Sequence, residues 1–456
     1  MDDAPVNPDV RYARNGRVAI AYEVIGDGPV DLIYLPGFIN NLEVMWNNPL
    51  LGRFLERLAS FCRLIVIDRR GAGLSDRLSP EDLPPLEDLV DDVAAVMDAL
   101  GIGRAVLMGS SDCGSLCAMF AAAHPERTAA LVLYATAAAE WTGSGFEAAW
   151  NDADWERYMN DLGQRWGTLD YAREMLAWFD PSLKNGEEDL AAWYASYQRL
   201  AASPTSAEAI ERVCQQLDVR AVLPTISAPT LVLHRTGDAI EYVDAGKHMA
   251  SEIPGARFVE LPGGDHHAWA GDQGAIVDEI RRFLSDMQGE EAELQRVLAT
   301  VLFTDIVDST SQAAAMGDRE WRGLRERHDQ LVRSQLARYR GREIKTMGDG
   351  FLATFDGPAR GVRCATSIVD GVRDQGIEIR AGLHTGEVEL DRDDVSGIGV
   401  AIGARVGAKA GPSEVLVSRT VKDLVAGSGL AFEDAGEHEL KGVPERWHLY
   451  RVVRSV

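Results

Sequence analysis

No stretch of this chain is apolar for long enough to cross a bilayer; the best candidate, residues 129–139, is short and runs into Glu140. Cysteine is scarce. Its five copies, Cys62, Cys113, Cys117, Cys214 and Cys364, are odd in number and irregularly spaced, which excludes a disulfide framework and suits a reducing compartment. The first residues show no basic segment followed by an apolar one, so no secretory leader is expected and a cytoplasmic location is. There is no low-complexity tract, no repeat of solenoid period and no Walker-type phosphate loop. The glycines at 397, 399 and 403 lack the spacing and the βαβ setting of a dinucleotide fingerprint. Basic residues are also short, 46 against 71 acidic ones, for a net charge of −25. Residues 297–456 hold 22 basic and 24 acidic side chains, a net of −2, which leaves −23 on residues 1–296. A field of that sign repels nucleic acid and anionic lipid, and neither is expected as a partner. The nearly neutral second part can accept a polyanionic small molecule.

What is present is globular: 456 residues, 46% of them hydrophobic, exceed one ordinary core and imply two or three domains. Apolar runs of strand length recur at 31–36, 63–68, 105–108, 130–134, 230–234 and 257–261. Such runs, separated by helical patterns, imply a mostly parallel sheet covered on both faces. From about 140 to 220 the rhythm gives way to a helical cap carrying Trp141, Trp150, Trp155, Trp166, Trp178 and Trp193. These tryptophans are expected mainly as the core of a subdomain, which can also serve as a lid over an apolar pocket. Domain boundaries are expected at 1–287 and 297–456, with the charged segment 288–296 as linker. In the second domain, 297–303 reads as a strand and 312–339 as mostly helical. Residues 342–355 read as a hairpin turning at Gly348-Asp349-Gly350, and 377–383 as a further strand, an α+β plan.

Asp305 ends the first of these strands and Asp349 sits in the hairpin turn, so both carboxylates can converge at one rim of a sheet. Two hard oxygen donors there suit Mg²⁺ or Mn²⁺ held together with substrate phosphates. Spacing alone favours the simpler role of turn residues chosen for local backbone bonding. Residues 303–310 (FTDIVDST), 344–349 (IKTMGD), 380–387 (RAGLHTGE), 411–418 (GPSEVLVS) and 440–442 (LKG) resemble, in order, the motifs of class III adenylate/guanylate cyclases. That resemblance covers 297–456 and implies a ferredoxin-like α+β fold working as a homodimer on ATP. It implies two Mg²⁺ or Mn²⁺ ions per site, held by Asp305, the Ile306 carbonyl and Asp349. Lys345 and Asp394, in the loop before Gly397, match the adenine-reading pair. Arg405 matches the arginine that stabilises charge at the α-phosphate, and Lys441 a lysine on the terminal phosphates. Four residues before Arg405 the family usually has a ribose-orienting Asn; Ala401 stands here.

In the first domain, residues 109–114 (GSSDCG) follow a strand and precede an apolar helix expected to begin near Ser115, which puts Ser111 on a strand–turn–helix elbow. Asp238 and His266 follow in the order a Ser…Asp…His triad requires. With Asp68-Arg-Arg-Gly71 and His124-Pro-Glu-Arg127 they resemble the α/β-hydrolase superfamily over about residues 15–287. The resemblance implies Ser111 as nucleophile, His266 as base and Asp238 as its orienter, with the N–H groups of Phe38 and Asp112 as oxyanion hole. Cys113 occupies the place two residues after the nucleophile where the family has glycine. Cys113 and Cys117 are expected to pack rather than pair, and the His266-His267 doublet has no nearby partner to make a zinc site. The expected activity is an adenylate cyclase whose hydrolase-like domain senses or regulates through an unknown small-molecule ligand. The competing expectation is a serine ester hydrolase with a weak or inactive cyclase-like dimerisation domain.

Overall fold

The alternating apolar runs do build a sheet, and a computed structural model describes it for residues 9–139, 152–183, 188–294, 296–391 and 394–453. The chain divides into two units, Met1–Met287 and Gln288–Val456. The strands of the first are β1 (Arg11–Asn15), β2 (Val18–Ile25), β3 (Asp31–Leu35), β4 (Arg63–Ile67), β5 (Ala105–Ser110), β6 (Thr128–Tyr134), β7 (Thr230–Arg235) and β8 (Arg257–Leu261). They form one sheet in the order β1-β2-β4-β3-β5-β6-β7-β8. Every neighbouring pair from β4 to β8 is parallel. Every residue of β5 and of β7 is buried, so helices cover both faces, as the continuous apolar runs require. The sequence reading did not anticipate β1 and β2, an antiparallel hairpin whose turn starts at Asn15-Gly16.

Between β6 and β7 the chain leaves the sheet to form a cap. Its described helices are Asp152–Arg165, Leu169–Phe179, Glu188–Ala201 and Pro204–Cys214. Trp166 is buried there and Trp178 is exposed; Trp141 and Trp150 lie outside the described residues. The segment expected as a linker is largely helix, since Gln273–Leu294 is one continuous helical element. The Glu, Gln, Ala and Leu that make 288–294 look like a charged connector are strong helix formers.

The second unit has β9 (Arg296–Ile306), β10 (Arg342–Met347), β11 (Gly350–Phe355), β12 (Ile379–Asp391), β13 (Asp394–Ser396), β14 (Val415–Ser418), β15 (Ala431–Glu439) and β16 (Arg446–Val453). Its sheet order is β10-β11-β9-β12-β14-β16-β15, with β13 added to β12. Successive residues of β9 serve opposite sides, as a pleated strand must. Leu302 and Ile306 pack with Val332 and Leu336 of the helix Asp318–Tyr339 and Val362 and Ile368 of Pro358–Gly371. Val301 and Phe303 pack with Val400 and Ala404 of the helix Ile398–Lys409. Gly317 splits the expected 312–339 helix in two. Among the described residues, no helix is long and apolar enough to cross a membrane.

Two candidate active sites

The first site begins where β5 ends. Ser111 has φ 52° and ψ −136°, a left-handed conformation that strains a non-glycine residue by about 1–3 kcal/mol. Its N–H donates to the Tyr134 carbonyl at 3.0 Å, and the Ser111 carbonyl accepts from Thr136 Oγ1 at 2.6 Å. Because this turn is so sharp, the following helix starts at Asp112 rather than near Ser115. Strand and helix then pass in contact: a Cβ on Gly109 would lie 2.5 Å from the Cys113 carbonyl oxygen. Glycine at 109 supplies that clearance, so Cys113 is tolerated. Its side chain turns toward the loop before Phe38, where the thiol meets the Gly37 carbonyl at 3.4 Å. Cys113 and Cys117 are buried and form no disulfide among the described residues.

The buried His266 reaches Asp238 Oδ2 through Nδ1 at 2.8 Å, while Asp238 Oδ1 accepts the N–H groups of Ile240 and Glu241. Burial by itself would raise the Asp238 pKa, but the His266 charge and these hydrogen bonds outweigh it and hold the carboxyl below its usual range. Burial likewise works to lower His266, and Asp238, Glu241 and Asp180 outweigh it, so the imidazole pKa lies above 6.5. An ionised carboxylate only accepts, which puts a proton on Nδ1 and leaves Nε2 for other chemistry. Ser111 and His266 line the same cavity of about 60 Å³; among the described residues no hydrogen bond joins them. The backbone N–H groups of Phe38 and Asp112 have no protein acceptor among the described residues. The Asp112 carboxylate does not enter the cavity, since it pairs with buried Arg69 and accepts the Cys214 thiol at 3.0 Å.

Each histidine of the doublet pairs with a carboxylate, His266 with the expected Asp238 and His267 with Asp180. His267 Nδ1 lies 2.7 Å from Asp180 Oδ2, and its N–H donates to Asp180 Oδ1 at 3.1 Å. Asp180 comes from the end of the cap helix Leu169–Phe179, 87 residues earlier, and no local pattern marks it.

In the second unit, register brings the two expected acids together. Phe351 lies opposite Thr304, so the hairpin turn before β11 falls beside Asp305 at the end of β9. The approach is close: a Cβ on Gly350 would lie 2.3 Å from the Thr304 carbonyl oxygen. Asp349 Oδ2 is buried and has no hydrogen-bond donor. Asp305 sits across from Arg380 on β12, and the Arg380 guanidinium pairs with its carboxylate, Nε at 2.9 Å. Arg380 opens the 380–387 motif, and sequence spacing alone assigns it no role. Ile306 is the last residue of β9.

Lys345 and Asp394 meet directly, with Nζ 2.7 and 2.6 Å from the two carboxylate oxygens. A bulge between Glu343 and Lys345 re-aims the lysine. Asp394 lies on the short strand β13 instead of a loop. The Lys345 hydrogen bond and charge hold the Asp394 pKa below its usual range. On the helix Ile398–Lys409, residues 402, 403, 406 and 407 are buried, whereas Ala401 and Arg405 share the exposed face. Arg405 Nε donates to the Lys441 carbonyl at 3.2 Å. Among the described residues, no cluster of three or more His, Cys, Asp or Glu forms a metal site.

Comparison with known proteins follows the same division. The family model described as alpha/beta hydrolase fold matches residues 32–270, and that of the adenylate and guanylate cyclase catalytic domain matches 293–453. A Rhizobium meliloti protein named "Putative adenylate cyclase 3" is 26% identical over 166 residues. The match takes in 34% of this chain and only 28% of that relative's length. The pimeloyl-[acyl-carrier protein] methyl ester esterase of Nitrosomonas europaea is 26% identical over 257 residues, 54% of this chain and 91% of the esterase. The crystal structure of a hydrolase from Pseudomonas aeruginosa PA01 superposes with a TM-score of 0.51 at 25% identity, covering 60% of this chain and 98% of that one.

Proposed function

Because the chain belongs to the alpha/beta hydrolase fold family and carries an adenylate and guanylate cyclase catalytic domain after it, we propose that it is an adenylate cyclase that converts ATP to cyclic AMP and pyrophosphate. In this reading the hydrolase-type unit serves as its small-molecule sensor or regulator. The observation that carries the reading is the convergence of two separate residue pairs on one sheet. Asp305 and Asp349 stand at a common rim, and Lys345 is already joined to Asp394.

The acidic pair fits a divalent cation, because Asp349 Oδ2 is a buried carboxylate oxygen still lacking a positive partner. Asp305, the Ile306 carbonyl and Asp349 would hold two Mg²⁺ or Mn²⁺ ions, whose chemistry when bound is to activate the ribose 3′-hydroxyl and neutralise the triphosphate. With cations at Asp305, the Arg380 guanidinium that now pairs with it would be available to the phosphates. The Lys345–Asp394 pair is half-exposed and screened by water, so it exchanges readily for adenine. Lys345 donates to the ring N1 and Asp394 accepts from the exocyclic amine. Lys441 grips the terminal phosphates. Arg405, on the exposed face of its helix, serves the site of a second copy, which makes the working unit a homodimer with two equivalent sites. The test is cyclic AMP production by the purified chain with Mn²⁺ and ATP. Formation of the cyclic nucleotide together with pyrophosphate supports the reading, and its absence with both Mn²⁺ and Mg²⁺ rejects it.

A second reading, ester hydrolysis by the first unit, is favoured by one specific observation: the strained Ser111 elbow and the His266–Asp238 pair open onto one cavity. Ser111 would attack an acyl carbonyl, His266 Nε2 would take its proton, and the N–H groups of Phe38 and Asp112 would receive the oxyanion.

A further inference from the structure

The cavity beside Ser111 contains polar atoms that neither reading uses. Gln198, on the cap helix Glu188–Ala201, is 1% exposed, and its Oε1 is buried without any hydrogen-bond partner. Tyr171, on the cap helix Leu169–Phe179, is 1% exposed, and its hydroxyl is equally unpartnered. Both side chains line the cavity. A buried polar group without a partner costs about 1–3 kcal/mol, and two on one cavity wall point to a ligand that completes them.

The rest of the wall narrows the chemistry. Aromatic rings dominate it, and it contains no Asp, Glu, Lys or Arg. Its basic groups, His266 and His267, are already paired with Asp238 and Asp180, so a charged ligand would lose its hydration without meeting an unengaged counter-charge. The volume of about 60 Å³ restricts the occupant to a small molecule. The Trp166 ring is a neighbour of both Phe38 and Tyr171 on this wall, with its centroid 5.9 Å from that of Phe38 and 6.5 Å from that of Tyr171.

We propose that this cavity binds a small, uncharged aromatic ester or related carbonyl compound that carries a hydroxyl at the end away from its carbonyl. The ligand hydroxyl donates to Gln198 Oε1 and accepts from the Tyr171 hydroxyl, while the carbonyl end lies toward Ser111 and the Phe38 and Asp112 amides. The assignment rests on the reading of this unit as a small-molecule site and gives that site a ligand class.

Four methyl esters differing only at the para position separate the possibilities: methyl 4-hydroxybenzoate, methyl benzoate, the anionic monomethyl terephthalate, and methyl 4-(trimethylammonio)benzoate. Binding is read from tryptophan fluorescence of the full chain carrying Ser111→Ala, which removes turnover and leaves Trp166 and Trp269 on the cavity wall. The hydroxy ester should bind about tenfold tighter than methyl benzoate, and both charged esters weaker than either. Adding Gln198→Leu or Tyr171→Phe should each abolish most of the hydroxyl's advantage while changing methyl benzoate binding less than twofold, a result that also certifies the fold. Equal affinity for the first two esters, tightest binding of a charged ester, or an advantage that survives both substitutions overturns the assignment. Labelling of Ser111 in the wild-type chain by phenylmethanesulfonyl fluoride separates two kinds of failure. If Ser111 is labelled but the hydroxyl preference is missing, only the ligand class falls; if there is neither labelling nor binding, the small-molecule site falls with it.

Discussion

The two units hold their reactive groups in opposite ways. In the first, Asp112, Asp238 and His266 are at most 4% exposed, and each has partners drawn from its own fold. In the second, the side chains of Asp305, Arg380, Lys345 and Asp394 keep between 38% and 52% of their exposure, and they pair with one another. A buried pair works in a low dielectric, where its geometry and charge state are fixed before any substrate arrives. A half-exposed ion pair is screened and can be exchanged. The first site therefore looks finished within one chain. The second holds its groups in temporary partnerships that nucleotide, cations and a second chain would replace.

The sharpest break in that comparison is Ser111→Ala. Loss of a working nucleophile should lower ester cleavage by up to about a millionfold and leave cyclic AMP synthesis untouched; unchanged cleavage would remove Ser111 from the reaction. The pH profile carries a sign. His266 must be neutral to act as base, and its pKa lies above 6.5 because Asp238 outweighs burial. Cleavage should therefore rise with pH through a midpoint above that value, and Asp238→Asn, which removes the raising charge, should move the midpoint down.

Next in size is Asp349→Ala. It deletes a carboxylate with several kcal/mol of transition-state stabilisation at stake, so cyclic AMP synthesis should fall about a thousandfold while ester cleavage persists. Near-normal synthesis, measured by product chromatography, would remove Asp349 from cation binding.

Base selection is a smaller effect. ATP should be preferred to GTP by about tenfold or more in kcat/KM, since guanine leaves Lys345 and Asp394 wrongly paired. Lys345→Glu should erase or invert that preference, and equal constants for both nucleotides in the wild type would contradict the assignment.

How much of this was legible beforehand follows physical lines. Strands β3 to β7 were readable because burial on both faces writes a nearly continuous apolar run, and β8 by its shorter Phe258-Val259 core. The β1–β2 hairpin was missed even though Asn15-Gly16 is a turn signal and residues 18–22 form an apolar run, since β1, with Arg11 and Arg14 exposed, makes none. Ser111, Asp238, Asp305 and Asp349 stand at strand ends or turns, where sequence context reveals position. Tyr171 and Gln198 lie on cap helices and Asp180 just past the end of one, and their importance comes from what folding places opposite them. The helical state of 288–294 was not legible because a charged connector and a charged helix end share the same Glu, Gln, Ala and Leu.

The smallest contrast is in stability against pH. Burial pushes the Glu211 carboxyl in the first unit up to about 8 from 4.5, so between those values the native state holds more protons than the unfolded one. Stability from this group is lost as pH rises. In the second unit burial pushes His384 down to about 4 from 6.5, so its contribution, about 3 kcal/mol, is lost as pH falls. Glu211→Gln should flatten the alkaline slope of the first unit's melting transition, and His384→Gln the acid slope of the second's. Calorimetry from pH 4 to 8 reads both, and slopes unchanged by these substitutions would contradict the assignments.

The central claim, that one site is complete in a single chain while the other needs two, is tested most directly by mixing. Asp349→Ala and Arg405→Ala chains should each be nearly inactive as cyclases. A mixed dimer contains one site built from the intact Asp349 of one chain and the intact Arg405 of the other. Mixing equal amounts, with subunit exchange verified by differently tagged chains, should restore up to about a quarter of wild-type cyclic AMP synthesis, because half the dimers are mixed and each has one good site. Restored activity is the result this account predicts; no recovery despite proven exchange would contradict it.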